Sequence, residues 1–201
     1  MQKKFSKILQ AFAVFPILTA NLALAPFGAG AGAPTVAAIF PDQNGTLASE
    51  IADNKQHDLE VEAAKVQVYF TKYKLPYAKY AMKLVTEADK NNLPPYTLAA
   101  LSFVESTGGK YACGLNGFGW KSCKGSNFKS VDEAIETVAA ALGENSDGTR
   151  HYYEGKTDEE KWETYNGRAN SDYVYNMKWV MAQFEKQAVP ESLAAKVEAK
   201  A

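Results

Sequence analysis

Apolar residues recur at helical spacing along most of the second half of the chain. Tyr80, Ala81, Leu84, Val85 and Ala88 fall three and four residues apart and predict a helix over 77–90, stopped by Asn91-Asn92. Pro94 and Pro95 suit the first turn of the next helix, because a missing N–H leaves nothing unsatisfied there. Leu98, Leu101 and Ser102 continue that helix to about Ser106, with Gly108-Gly109 as its terminator. Ser130-Val131-Asp132-Glu133 has the form of a capping box, and it opens a helix whose apolar face is Val131, Ala134, Ile135, Val138 and Leu142, closed by Gly143. The same punctuation at Thr157–Glu160 starts a short helix toward Tyr165, and Ser171 precedes a last one carrying Tyr173, Val174, Met177, Val180, Met181 and Phe184. Ahead of these, the Ala-, Glu-, Lys- and Val-rich run from Leu47 to about Tyr73 lacks Pro and Gly, which predicts a long helix ending before Leu75-Pro76.

The exceptions to this periodicity mark the organisation. Residues 110–129 are rich in glycine, hold both cysteines and show no helical period, so they read as a loop or short hairpin. Residues 34–46 have linker composition, and 188–201 form a charged, Ala-rich tail expected to fray. Lys3, Lys4 and Lys7 precede an apolar run from Ile8 to Phe27 and a small-residue stretch, Gly28 to Ala33. Residues 1–33 therefore read as a secretory signal, with an uncleaved membrane anchor as the alternative. The resulting division is 1–33 signal or anchor, 34–46 linker, 47–76 N-terminal helix, 77–187 a mainly α domain and 188–201 tail.

Composition narrows the partners. In 201 residues, 22 basic and 23 acidic side chains are interspersed, and no strong field invites nucleic acid or anionic lipid. Membrane contact is expected only through the N-terminal segment, and a monomer is the simplest state. Export lets Cys113 and Cys123 close a disulfide, with two buried free thiols as the alternative. Two cysteines and the distant His57 and His151 give no zinc spacing, so neither metal nor cofactor is expected. Those histidines also stand near no recognisable nucleophile motif, which argues against serine or cysteine hydrolase chemistry.

The chemistry concentrates around Ala99–Lys110, where an apolar helix delivers Glu105 at its C-terminal end and two glycines let the chain turn away. The negative end of the helix dipole and apolar neighbours both disfavour a carboxylate there, keeping Glu105 protonated as a general acid requires. A helical glutamate alone is usually a solvated surface charge. The support comes from Asn116-Gly117-Phe118-Gly119-Trp120-Lys121, where an amide, two aromatics and two glycines offer the groups that line sugar sites. The alternative for that stretch is a tight turn whose aromatics fill the core.

Glu-Ser-x-x-Gly at Glu105, Asn-x-Phe-Gly-x-Lys at Asn116, Phe128-Lys129-Ser130 and the helix containing Glu133-Ala134-Ile135 resemble the lysozyme-like bacterial glucosaminidases. The Glu-Ser pair also resembles soluble lytic transglycosylases and goose-type lysozymes, and the likeness covers about residues 77–187. The resemblance implies a lysozyme-like helical fold with a short loop or β-hairpin beside the active-site cleft, in a secreted or envelope protein acting on peptidoglycan glycan strands. It makes Glu105 the catalytic acid and gives substrate contacts to Ser106, Asn116, Phe118, Gly119, Trp120 and Lys121. Tyr165-Asn166-Gly167 resembles the transglycosylase element that brings a tyrosine near the acid, which would make Tyr165 catalytic and Asn166 a substrate contact. A helix ending at an Asn-Gly cap is the other reading. Trp120 departs from the pattern, since glucosaminidases often carry an aliphatic residue there, and so does the cysteine pair.

No Asp or Glu lies between Glu105 and Asp132. Two-carboxylate glycosidase chemistry thus lacks its second acid on the loop, and only folding could supply one, from Glu154 or Asp158. The expectation is cleavage of a β-1,4 linkage of N-acetylated amino sugars by a transglycosylase-like, single-glutamate route. Hydrolysis in the manner of a glucosaminidase or lysozyme, a non-catalytic wall-binding module and a helical adaptor docking through residues 47–73 are the competing expectations.

Overall fold

The computed structural model describes residues 43–124, 127–167 and 170–191. The expected signal or anchor, most of the linker and most of the tail lie outside them, as does any structural test of those assignments. Seven α-helices occur among the described residues: α1 (Gln43–Lys72), α2 (Ala81–Lys90), α3 (Thr97–Ser106), α4 (Val131–Leu142), α5 (Arg150–Tyr153), α6 (Asp158–Tyr165) and α7 (Tyr173–Glu185). No strand forms among them, and an isolated bridge between Cys113 and Asn116 is all that remains of the possible hairpin. The class is mainly α.

The helix α3 is apolar nearly all round, as a central helix must be. Leu98, Ala99, Ala100 and Leu101 are fully buried, and α3 packs against α7, α2 and α4. Around it, Phe70 from α1, Leu84 and Val85 from α2, Ile135, Val138 and Leu142 from α4, and Met177 and Phe184 from α7 complete one core. Tyr69, Phe70, Phe103 and Phe184 meet there in edge-on and stacked pairs with centroids 5.2 to 6.5 Å apart. These contacts seat the C-terminal end of α3 rigidly against α7, which matters for the site below.

Several boundaries differ from the sequence reading. The helix α1 starts at Gln43, inside the stretch read as linker, and its residues 48–56 are exposed before the buried Ala63, Val66 and Phe70 anchor it. Propagation from an anchored helix adds one hydrogen bond per residue fixed, so polar residues extend it even past Gly45. Residues 76–80 form a 3₁₀ turn, and α2 begins only at Ala81. Pro94 and Pro95 precede α3 in a turn closed by Thr97 N–H donating to the Pro94 carbonyl, rather than occupying its first turn. At α4, Ser130 accepts from Glu133 N–H, but the Glu133 carboxylate accepts from Lys129 N–H and so caps one residue earlier than a reciprocal box. Gly143 does end α4, though at φ −81°, an ordinary value; it is glycine because a Cβ would strike the Asn91 backbone carbonyl. The box at Thr157 and Glu160 is reciprocal. Asp172, not Ser171, occupies the N-cap of α7, and neither caps it with a side-chain bond. The single turn α5 has no period long enough to show in the sequence.

Candidate active site at the end of the central helix

The end of α3 is built by a left-handed turn that begins one residue before the glycines expected to make it. Thr107 has φ 53° and ψ 56°, its N–H donates to the Phe103 carbonyl, and Gly108 N–H donates to the Ser102 carbonyl. This double closure satisfies carbonyls a helix end would leave free, and it holds a β-branched residue where only glycine is unstrained. Gly108 and Gly109 follow at φ 60° and 84°. They also leave room: a Cβ on Gly108 would crowd Leu75, and one on Gly109 would enter the Tyr77 ring.

Tyr77 acts as a post around which the loop is wrapped. Its ring fills the space beside both Gly109 and Gly117, its hydroxyl donates to the Leu115 carbonyl at 3.4 Å, and Phe118 packs on it at 6.0 Å. Ser106 is buried, and its hydroxyl lies 2.6 Å from the Gly117 carbonyl while accepting from Gly109 N–H. Asn116 is buried as well. Its carboxamide accepts from Phe118 N–H and Trp120 N–H and donates to the Trp120 carbonyl. A disulfide joins Cys113 to Cys123 across the outer part of the same loop.

These contacts correct the roles expected for Ser106, Asn116 and Phe118. Ser106 and Asn116 spend their polar atoms on backbone, and Phe118 is fully buried, so none of the three presents a surface to a sugar. They hold the loop that does face Glu105. Asn166 is only partly buried: it follows α6 as its C-cap, its carboxamide donates to the Asn170 carbonyl, and Gly167 follows in the left-handed region.

Glu105 sits half-buried between two elements the loop and α7 supply. Tyr173, from the first residue of α7, donates its hydroxyl to Glu105 Oε1 at 2.6 Å. On the other side, Gly119 lies so close that a Cβ there would come within 2.6 Å of Oε2. Tyr165, at the end of α6, donates to the Phe118 carbonyl at 2.6 Å, which fixes the backbone immediately before Gly119, and its ring lies 5.8 Å from that of Trp120. The structure therefore brings Glu105, Gly119, Trp120 and Tyr165 together, with Lys121 exposed at the rim.

Burial pushes the Glu105 carboxyl above the ordinary glutamate range, and the Tyr173 hydrogen bond opposes this only in part. Relative to an ordinary glutamate the neutral form gains, and the cause is burial. Because Tyr173 donates to Oε1, the proton of the neutral form belongs on Oε2, the oxygen facing Gly119. Tyr173 and Tyr165 are both raised far above an ordinary tyrosine, first by burial and then by the charge of Glu105, so they remain donors. Tyr153, buried nearby, is pushed up to about 12 by burial. No carboxylate contributes to the shift of Glu105 among the described residues, Glu154 and Asp158 included.

Tyr173 and Tyr153 were not foreseen as site residues. Tyr173 was legible only as the first apolar position of α7, since spacing records which face a residue takes and not where its hydroxyl ends. Beside the site, Phe103, Val104, Thr107, Asn176, Trp179 and Val180 line a cleft of about 280 Å³ between α3 and α7, which Glu105 itself does not line. No protein-family model, curated protein or solved structure matches the chain.

Proposed function

We propose that the protein cleaves the glycan strand of peptidoglycan at a β-1,4 linkage between N-acetylated amino sugars, with Glu105 as its single catalytic carboxyl group. The observation that carries the reading is the environment of Glu105. It is a helix-terminal acid raised by burial, oriented by Tyr173 and faced by Gly119, whose missing side chain leaves room for Oε2, with Trp120 next along the loop and beside Tyr165. A surface glutamate would have none of these. The Cys113–Cys123 disulfide is compatible with an extracytoplasmic protein.

With one acid, the route that balances uses the substrate. Glu105 gives its Oε2 proton to the glycosidic oxygen as the bond to the sugar C1 breaks, and the N-acetyl carbonyl oxygen of the same sugar bonds to C1 from the opposite face. Glu105 is then a carboxylate, steadied by the Tyr173 hydroxyl. It takes the proton of the sugar's own 6-hydroxyl, whose oxygen attacks C1 and releases the acetamido group, leaving a 1,6-anhydro end. If water replaces the 6-hydroxyl, the product is an ordinary reducing end. Tyr165 acts at one remove, through the Phe118 carbonyl.

Glu105→Gln keeps the shape and the hydrogen bond from Tyr173 but has no proton to give. Glycan release from purified sacculi should fall to background while the variant still melts cooperatively and no lower than the wild type. Unchanged digestion by this variant would end the proposal. Mass spectrometry of the wild-type digest separates anhydro from reducing products.

A further inference from the structure

The loop that reaches Glu105 carries charge of one sign only. Residues 106–131 contain Lys110, Lys121, Lys124 and Lys129 and no acidic residue. All four lysines are exposed. None of them enters a salt bridge among the described residues, whereas Lys55, Lys65, Lys83, Lys90, Lys161 and Lys178 are each paired.

The fold concentrates these charges and does not let them disperse. The Cys113–Cys123 disulfide holds the two sides of the loop at a Cα separation of 6.0 Å, so Lys110, Lys121 and Lys124 belong to one stapled lobe. Within it Lys121, Ser122 and Cys123 have φ of 52°, 52° and 61°. Three successive non-glycine residues in the left-handed region cost roughly 1–2 kcal/mol each. Lys110 lies over the ring of Tyr111, which is 69% exposed, at 5.5 Å from its centroid. Like charges repel where they come within a screening length, about 10 Å at 0.1 M salt, and an anionic partner relieves such repulsion.

The position of the lobe selects the partner. Its Lys121 lies two residues after Gly119, the residue that faces Glu105 Oε2, so the lobe adjoins the loop segment at the acid. We propose that this lysine lobe binds the free carboxylates of the peptide stems carried by the glycan strand, so that stem-bearing glycan is preferred to bare glycan. The substrate named here rests on the peptidoglycan reading above. The lobe adds a specificity that Glu105 and Trp120 alone do not supply.

The test uses Lys110→Gln/Lys124→Gln, two exposed positions outside the Glu105 contacts. Sacculi freed of phosphate polymers are compared with the same glycan stripped of its stems by an amidase, in sedimentation binding and in digestion. The double variant should bind stem-bearing glycan about tenfold more weakly, near threefold per lysine, and stem-free glycan as before. Wild-type preference for stems should shrink as salt rises, and that of the variant, which keeps Lys121 and Lys129, should shrink less. Equal binding by both proteins, equal loss on both substrates, or a lysine effect confined to walls that retain phosphate polymers would each overturn the proposal. Sedimentation does not require turnover, so an inactive wild-type protein defeats the cleavage reading alone and leaves the stem contact to be decided by binding.

Discussion

The helical scaffold and the cysteine-bearing loop are held by different physics. In the scaffold, Leu98, Leu101, Ile135, Val138 and Met177 are buried on all sides, and stability comes from apolar area that many residues share. The loop buries Phe118 but is otherwise fixed by discrete bonds: Asn116 to the backbone of 118 and 120, Ser106 to Gly117, Tyr165 to Phe118, Tyr77 to Leu115. A shared core tolerates the loss of any one contact better than a chain of single bonds does. Substitutions in the scaffold should therefore report as stability, and substitutions in the loop as misplacement of groups around Glu105.

The sharpest contrast is between two glycines of the same loop. Gly119 and Gly114 have φ of 62° and 63°, so alanine meets the same backbone strain at either, roughly 1–2 kcal/mol. At Gly119 the added Cβ also meets Glu105 Oε2 at 2.6 Å, whereas at Gly114 nothing lies within 4 Å. Gly119→Ala is expected to lower kcat for glycan cleavage about 100-fold, the scale of an ångström-sized displacement of a reacting group. Gly114→Ala should melt with a similar deficit and turn over normally. Equal activity in the two variants would show that the loop does not position the acid.

A smaller effect, about tenfold in kcat, is expected for Tyr173→Phe, which removes the donor to Oε1 without disturbing the buried ring. Its more telling readout is pH. Burial raises the Glu105 carboxyl and the Tyr173 bond partly lowers it, so deleting that bond should move the acid further up. Activity requires the protonated form, and kcat/KM falls as pH rises through the Glu105 pKa. That falling limb should shift to higher pH in the variant. Stability follows the same sign. A carboxyl raised in the folded state favours folding below the ordinary glutamate range, and this advantage is lost as pH rises through the folded value. Glu105→Gln should accordingly melt higher than the wild type near neutrality and converge with it in acid.

What the sequence made legible divides along the same line. Apolar positions three and four residues apart foretold α2, α4 and α7 because burial of one face is a periodic requirement, and the α6 capping box was found because its two bonds are local. Glu105 stood out because a helix end and a glycine pair are both local features. Tyr173 did not: its hydroxyl meets Glu105 across 68 positions, and nothing near it in the chain encodes the partner. Asn116 and Ser106 were found by residue type, but whether an amide or hydroxyl faces inward depends on a backbone path set by Tyr77, Gly109 and Gly117. Thr107 shows the limit of residue preference, since a threonine takes the first left-handed position although two glycines follow it.

The disulfide separates the inner half of the loop from the outer. Residues 115–118 are tied to the scaffold by Ser106, Tyr77 and Tyr165, Asn116 braces the turn from within, and none of these side-chain bonds passes through the disulfide. The Cys113–Cys123 staple joins the part of the loop that carries Lys121 and Lys124 to the part that follows Lys110. Cys113→Ser/Cys123→Ser should cost about 2–3 kcal/mol of stability through the freed unfolded chain. Because the contacts around Glu105 survive, kcat on stem-free glycan is expected to change by no more than about twofold. The KM for stem-bearing glycan should rise about threefold as the lysines disperse. A drop in kcat as large as that of Gly119→Ala would mean that the acid is positioned by the staple, and the division of the loop into a positioning half and a recognition half would fail.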